Sequence, residues 1–121
     1  MIYRGILAAL VCVCAWLVLG AADEDRVAWV RPPSFVNEAD ILVLQVRVPR
    51  HPENRRLVLM AVDGDDIVRR SDEQLEGEAA PVSRWVRWRL PAGELTLIAA
   101  VFDGTREVGR DTHPLVVRGW P

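Results

Sequence analysis

The chain has 121 residues, 50% of them hydrophobic, and a formal net charge of −2. That length suits a single globular domain, and the lack of a basic excess argues against a dedicated nucleic-acid-binding protein. Every basic side chain is arginine. Arginine suits phosphate recognition, although codon usage in a GC-rich genome gives the same bias.

The first element is a leader. Met1 to Gly5 carries one positive charge, Arg4, and Ile6 to Leu19 is unbroken apolar sequence. Gly20-Ala21-Ala22 then supplies the small residues a signal peptidase must fit, ahead of the acidic Asp23-Glu24-Asp25. This order predicts a cleavable signal peptide over residues 1–22, cut after Ala22, and a periplasmic or secreted product. The alternative is an uncleaved transmembrane anchor, which takes roughly 17 apolar residues at the least. Cys12 and Cys14 both lie in the leader, so the domain over residues 23–121 has no disulfide to stabilise it.

After the leader the apolar pattern has period two, which marks strands. Val27 to Val30 is a short first strand, stopped by Pro32-Pro33. In Asp40 to Val48, Leu42, Leu44, Val46 and Val48 share one face and Gln45 and Arg47 the other. Arg56 to Val62 is a short apolar run, predicted to be a buried strand. Gly64 to Ala80 is the weakest stretch, predicted as a short edge strand plus loop, with room for a helical turn over Asp72 to Leu75. Ser83 to Leu90 alternates Val86, Trp88 and Leu90 with Trp85, Arg87 and Arg89.

Pro91-Ala92-Gly93 must then reverse the chain before Glu94 to Phe102, which is apolar on both faces and therefore central. Asp103-Gly104 predicts a two-residue hairpin. Pro114 lacks an N–H, which confines the last strand, Leu115 to Arg118, to a sheet edge or to starting there. About seven short strands separated by Gly, Pro and Asp predict an all-β antiparallel sandwich.

Leu90-Pro91-Ala92-Gly93-Glu94-Leu95-Thr96-Leu97, followed by Ala99-Ala100-Val101-Phe102-Asp103-Gly104, resembles the E–F–G region of bacterial immunoglobulin-like and fibronectin type III-like domains. The resemblance extends over Asp40 to Arg118 and implies a single immunoglobulin-like sandwich. Leu95 stands where such domains often carry a tyrosine, and no Cys-Trp-Cys core is present, which argues against an antibody-type or receptor-type domain. Such a resemblance implies a fold and leaves function to be argued from a site.

Chemistry is sparse. His51 and His113 are far apart in sequence and each lies beside a proline, whereas zinc needs three or four converging ligands. Asp63-Gly64-Asp65-Asp66 lacks the spacing and distal glutamate of a calcium loop and is better read as an acidic β-turn. None of Ser34, Ser71 and Ser83 sits in a Gly-x-Ser-x-Gly elbow. The expectation is a non-catalytic protein with no cofactor or metal.

Two surfaces remain. Alternation predicts an outward row of Trp85, Arg87 and Arg89, suited to an acidic, phosphorylated or sugar partner; alternatively these arginines brace neighbouring strands. The loop Pro49 to Arg56 offers Arg50, His51, Arg55 and Arg56 at one end of the domain. The expected function is an exported interaction module for a protein or cell-envelope component, with no nucleic-acid partner and no membrane contact beyond the N-terminal segment. A carbohydrate-binding module is the alternative and would need at least two exposed aromatics from Trp29, Trp85 and Trp120. A hydrolase, requiring a pocket that joins His51 or His113 to a carboxylate, ranks third.

Overall fold

Alternation of Leu42, Leu44 and Val46 with Val43, Gln45 and Arg47 gives a strand with one buried and one solvent-facing edge of side chains. The same device is repeated along the computed structural model, which describes residues 26–77 and 81–119. The strands are β1 (Ala28–Trp29), β2 (Phe35–Asn37), β3 (Leu42–Arg47), β4 (Arg56–Asp63), β5 (Asp66–Gln74), β6 (Ser83–Trp88), β7 (Gly93–Phe102) and β8 (Glu107–Arg118). The expected leader and Trp120 lie outside the described residues.

The strands form two sheets, one ordered β1-β3-β6 and the other β2-β8-β7-β4-β5. Pairing is antiparallel except between β2 and β8, which run parallel. One apolar core joins them. Leu44, Val46 and Trp88 enter it from the smaller sheet, and Leu57, Leu59, Leu97, Val101 and Leu115 from the larger. The protein is thus all-β with two sheets, consistent with a β-sandwich. Burying each such side chain contributes about 1.5–3 kcal/mol.

Polar ties link the two sheets outside that core. Trp29 N at β1 donates to Asp111 Oδ2 on β8 at 2.8 Å. Arg84 Nε on β6 meets Glu73 Oε2 on β5 at 2.6 Å. The connections explain why so many ties are long-range: only β4–β5 and β7–β8 join consecutive strands within a sheet. Pro91-Ala92-Gly93 turns the chain from β6 in one sheet to β7 in the other, and Ala92 N there donates to Glu38 Oε2 at 3.2 Å.

Several expectations are corrected. There are eight strands among the described residues, because Phe35–Asn37 adds β2 beside β8. The weak stretch after Gly64 is a nine-residue edge strand, β5, with no helical turn at Asp72 to Leu75. Its pairing with β4 from Arg56 to Asp63 supplies the ladder that its polar sequence does not advertise. Gly64, at φ 61°, makes the tight β4–β5 turn with Asp65, a conformation that glycine adopts without strain.

The Asp103-Gly104 hairpin is wider than expected. Phe102 faces Glu107, and Asp103 N donates to Arg106 O at 3.0 Å across a four-residue loop. A bulge beside it pairs Val101 with Gly109, which turns Val108 into the core.

Pro114 lies inside the last strand rather than at its start. Val116 N donates to Ser34 O on the β2 side; Pro114, two residues earlier, points its nitrogen the same way, where β2 has no paired residue. No ladder bond is lost, so β8 continues through it.

Candidate functional site

β6 has two contrasting faces. Trp88 is 3% exposed and packs in the core, whereas Trp85 is 62% exposed, as the alternation predicts. Leu90, just beyond the strand, is also buried. Inward-facing Val86 is partly buried against the core, and Arg84 reaches across to Glu73.

Pairing with β3 completes the outer face. Val43 lies opposite Arg87, Gln45 opposite Trp85 and Arg47 opposite Ser83. Ile41 and Arg89 follow immediately beyond the paired residues. Ile41 is 57% and Val43 49% exposed, and Arg47, Arg87 and Arg89 are all solvent-exposed. The diagonal from Val43 to Trp85 is about 7–8 Å in an antiparallel pair, within reach of an aromatic ring. The face therefore combines an indole, two aliphatic side chains and three guanidinium groups. The outward positions of β3 and β6 carry no carboxylate.

Most of the other arginines are committed to a partner. Arg26, Arg56, Arg70, Arg84, Arg106 and Arg110 each form an ion pair with Asp or Glu. Arg118 stacks over Phe35 at 4.4 Å. Among the described residues, Arg47, Arg87 and Arg89 have no ion-pair partner and their side chains make no hydrogen bond; the same is true of Arg31, Arg50 and Arg69, but those three are scattered, whereas Arg47, Arg87 and Arg89 share one face. Ion pairing across the sheet, the bracing alternative, is not seen for Arg87 or Arg89.

The Pro49 to Arg56 loop is built the other way. Asn54, fully buried, donates from Nδ2 to Pro49 O at 3.0 Å, and its backbone N donates to His51 O at 3.1 Å. Arg55 Nη1 donates to Pro52 O at 2.5 Å and to Asn54 O at 3.0 Å. Arg56 pairs with Asp72 at 3.5 Å and lies 4.6 Å from the centre of the Phe102 ring. His51 accepts from Glu53 N at Nδ1, 3.1 Å, while Arg26 Nη2 lies 3.0 Å from Nε2. Both neighbours can only donate, and a neutral imidazole accepts at one nitrogen, so the two bonds exclude each other. Of the four candidates in this loop, only Arg50 makes no polar side-chain contact.

An open concavity of about 420 Å³ beside the loop is lined by Pro52, Arg55, Leu75, Glu76 and Gly77. Its one cation, Arg55, is already committed to the two carbonyls. His113 is likewise engaged, with Nε2 at 3.1 Å from Pro33 O. The carbohydrate reading loses a residue, because Trp29 is buried in the core. Its position on β1, opposite Val46, turns it inward.

No family model matches this sequence, and no curated protein or solved structure is significantly similar to it.

Sequence reasoning had overlooked Ile41 and Val43. The signal was present: Val43 alternates with buried Leu42 and Leu44 and so shares a face with Gln45 and Arg47. An aliphatic residue at such a position marks an apolar spot on an otherwise polar surface.

Proposed function

We propose that the protein is an exported, non-catalytic interaction module with an immunoglobulin-like sandwich, and that it binds a cell-envelope component through the outer face of β3 and β6. The observation that carries this reading is the clustering of three unpaired arginines around exposed apolar side chains on one face. In a chain of net charge −2, Arg47, Arg87 and Arg89 have no acidic partner among the described residues and lie together beside exposed Trp85, Val43 and Ile41. Exposed aromatic and arginine side chains are the types that dominate binding energy at interfaces.

The connectivity supports the immunoglobulin-like assignment. The first strand pairs with the third, the third with the sixth, and the chain passes repeatedly between sheets. The short β2 running parallel to the last strand fits the same pattern. Export rests on the leader sequence, and processing at Ala22 predicts that exported material begins at Asp23; recovery of membrane-embedded chain starting at Met1 would instead establish an anchor.

The binding face is tested by charge reversal. Arg87→Glu with Arg89→Glu should abolish crosslinking of the tagged protein to envelope material while leaving the melting temperature nearly unchanged, since exposed charges contribute only about 0–1 kcal/mol to folding. Unchanged crosslinking by the folded double variant would remove this face from consideration.

A further inference from the structure

Resting on that reading of the β3–β6 face, and in place of the sequence expectation that only the N-terminal segment meets a membrane, we infer that its ligand is an anionic lipid surface, which the exposed indole enters while the arginines meet the headgroups. Three features select this occupant over an acidic protein.

The first is composition. Trp85 at 62%, Ile41 at 57% and Val43 at 49% exposure project from the same side of two paired strands, among Arg47, Arg87 and Arg89. An amphipathic indole flanked by aliphatics and cations matches the boundary between headgroups and acyl chains, where tryptophan accumulates and basic side chains find anionic lipid. No carboxylate on the outward positions of β3 or β6 opposes approach to negative charge.

The second is the lack of preorganisation. Arg55 is held by two carbonyls and Arg84 by Glu73, but none of the described residues holds the guanidinium groups of Arg47, Arg87 and Arg89. A specific protein carboxylate is best recognised by a fixed, bidentate arginine. Unheld cations spread along a strand face suit laterally mobile headgroups, which rearrange to meet them.

The third is position in the chain. β1 is the edge strand of this same sheet, and Ala28, where it begins, follows Leu19 by nine residues. Fully extended, that connection spans at most about 30 Å. Any stage at which the apolar segment is still in the bilayer therefore keeps this sheet close to the headgroups.

The test uses the full chain with vesicles of phosphatidylcholine alone or mixed with phosphatidylglycerol. Insertion of the N-terminal segment would contribute to both, so the readout is the gain in cosedimentation that phosphatidylglycerol produces. Wild type should show such a gain, diminishing as salt is raised. Arg47→Glu, Arg87→Glu and Arg89→Glu together should reduce it by about tenfold or more. A blue shift of tryptophan emission should accompany binding and largely vanish in Trp85→Ala. If the triple reversal fails to fold, the corresponding glutamine substitutions replace it, and each variant's melting temperature is recorded alongside.

A phosphatidylglycerol gain that is absent, or that the folded triple variant retains in full, overturns the lipid assignment. So does tighter binding to soluble polyglutamate than to vesicles at equal charge. Loss of envelope crosslinking in Arg87→Glu/Arg89→Glu despite such results would leave the face as a protein site. Its retention would end both readings.

Discussion

Two surfaces of this domain are rich in arginine, and they spend that charge differently. In the Pro49 to Arg56 loop the guanidinium of Arg55 ties down two carbonyls, Arg56 pairs with Asp72 and stacks on Phe102, and His51 faces Arg26. On the outer face of β3 and β6, Arg47, Arg87 and Arg89 contact no acid among the described residues, and a tryptophan and two aliphatic side chains stand exposed beside them. The difference follows from backbone demand. An irregular loop leaves carbonyls and amides without ladder partners, and nearby side chains must satisfy them. A paired strand has already satisfied its backbone, so its outward side chains are free for other work.

The comparison is sharpest within β6 itself. Trp88→Ala should cost about 3–5 kcal/mol, the usual range for truncating a buried large aromatic, whereas Trp85→Ala should barely change stability. Urea unfolding of both variants checks this, and equal losses would mean that the two faces of the strand are not distinct.

Within the loop, the largest effect should come from Asn54→Ala. Removing the Nδ2 donor leaves the part-buried Pro49 carbonyl without that bond, which costs about 1–3 kcal/mol. Gly77→Ala should follow at about 1–2 kcal/mol, because left-handed backbone disfavours a side chain. Its φ is 63°, and a Cβ there would meet Pro52 O and Arg55 Nη1 at 3.0 Å. Thermal melting of each variant reads the cost; a neutral Gly77→Ala would show that the loop relaxes around the added methyl.

The smallest effects separate the two surfaces directly. Arg55→Ala should lose about 1 kcal/mol with its two carbonyl bonds, while Arg87→Ala and Arg50→Ala should change stability by less than about 0.5 kcal/mol. Comparable losses at Arg55 and Arg87 would erase the distinction on which the binding face rests.

Much of the architecture was legible in the chain. Period-two alternation located β3 and β6, because a strand with one face in the core must alternate, and it oriented Trp85 outward and Trp88 inward; apolar runs bounded by turn residues located β4 and β7. Doubly apolar Glu94 to Phe102 pointed to a central strand, and β7 is indeed flanked by β8 and β4. An edge strand was legible after Gly64, but the full nine-residue length of β5 and the short β2 were not: each gains its ladder from a neighbour, and an edge strand needs little apolar sequence of its own. Pro114 misled for a related reason, since a proline inside a strand is costly only if its nitrogen faces a partner.

The sequence by itself determined the periodicity, the punctuation and the inward and outward faces, because these depend on local backbone geometry and on which side chains water rejects. Only the tertiary structure decided which arginines are occupied. Glu73 meets Arg84 and Asp111 meets Trp29 across the two sheets, and Arg55 finds its carbonyls through the fold of its own loop. Whether a charge is satisfied depends on neighbours that strand pairing brings from elsewhere in the chain, and local spacing carries no record of them.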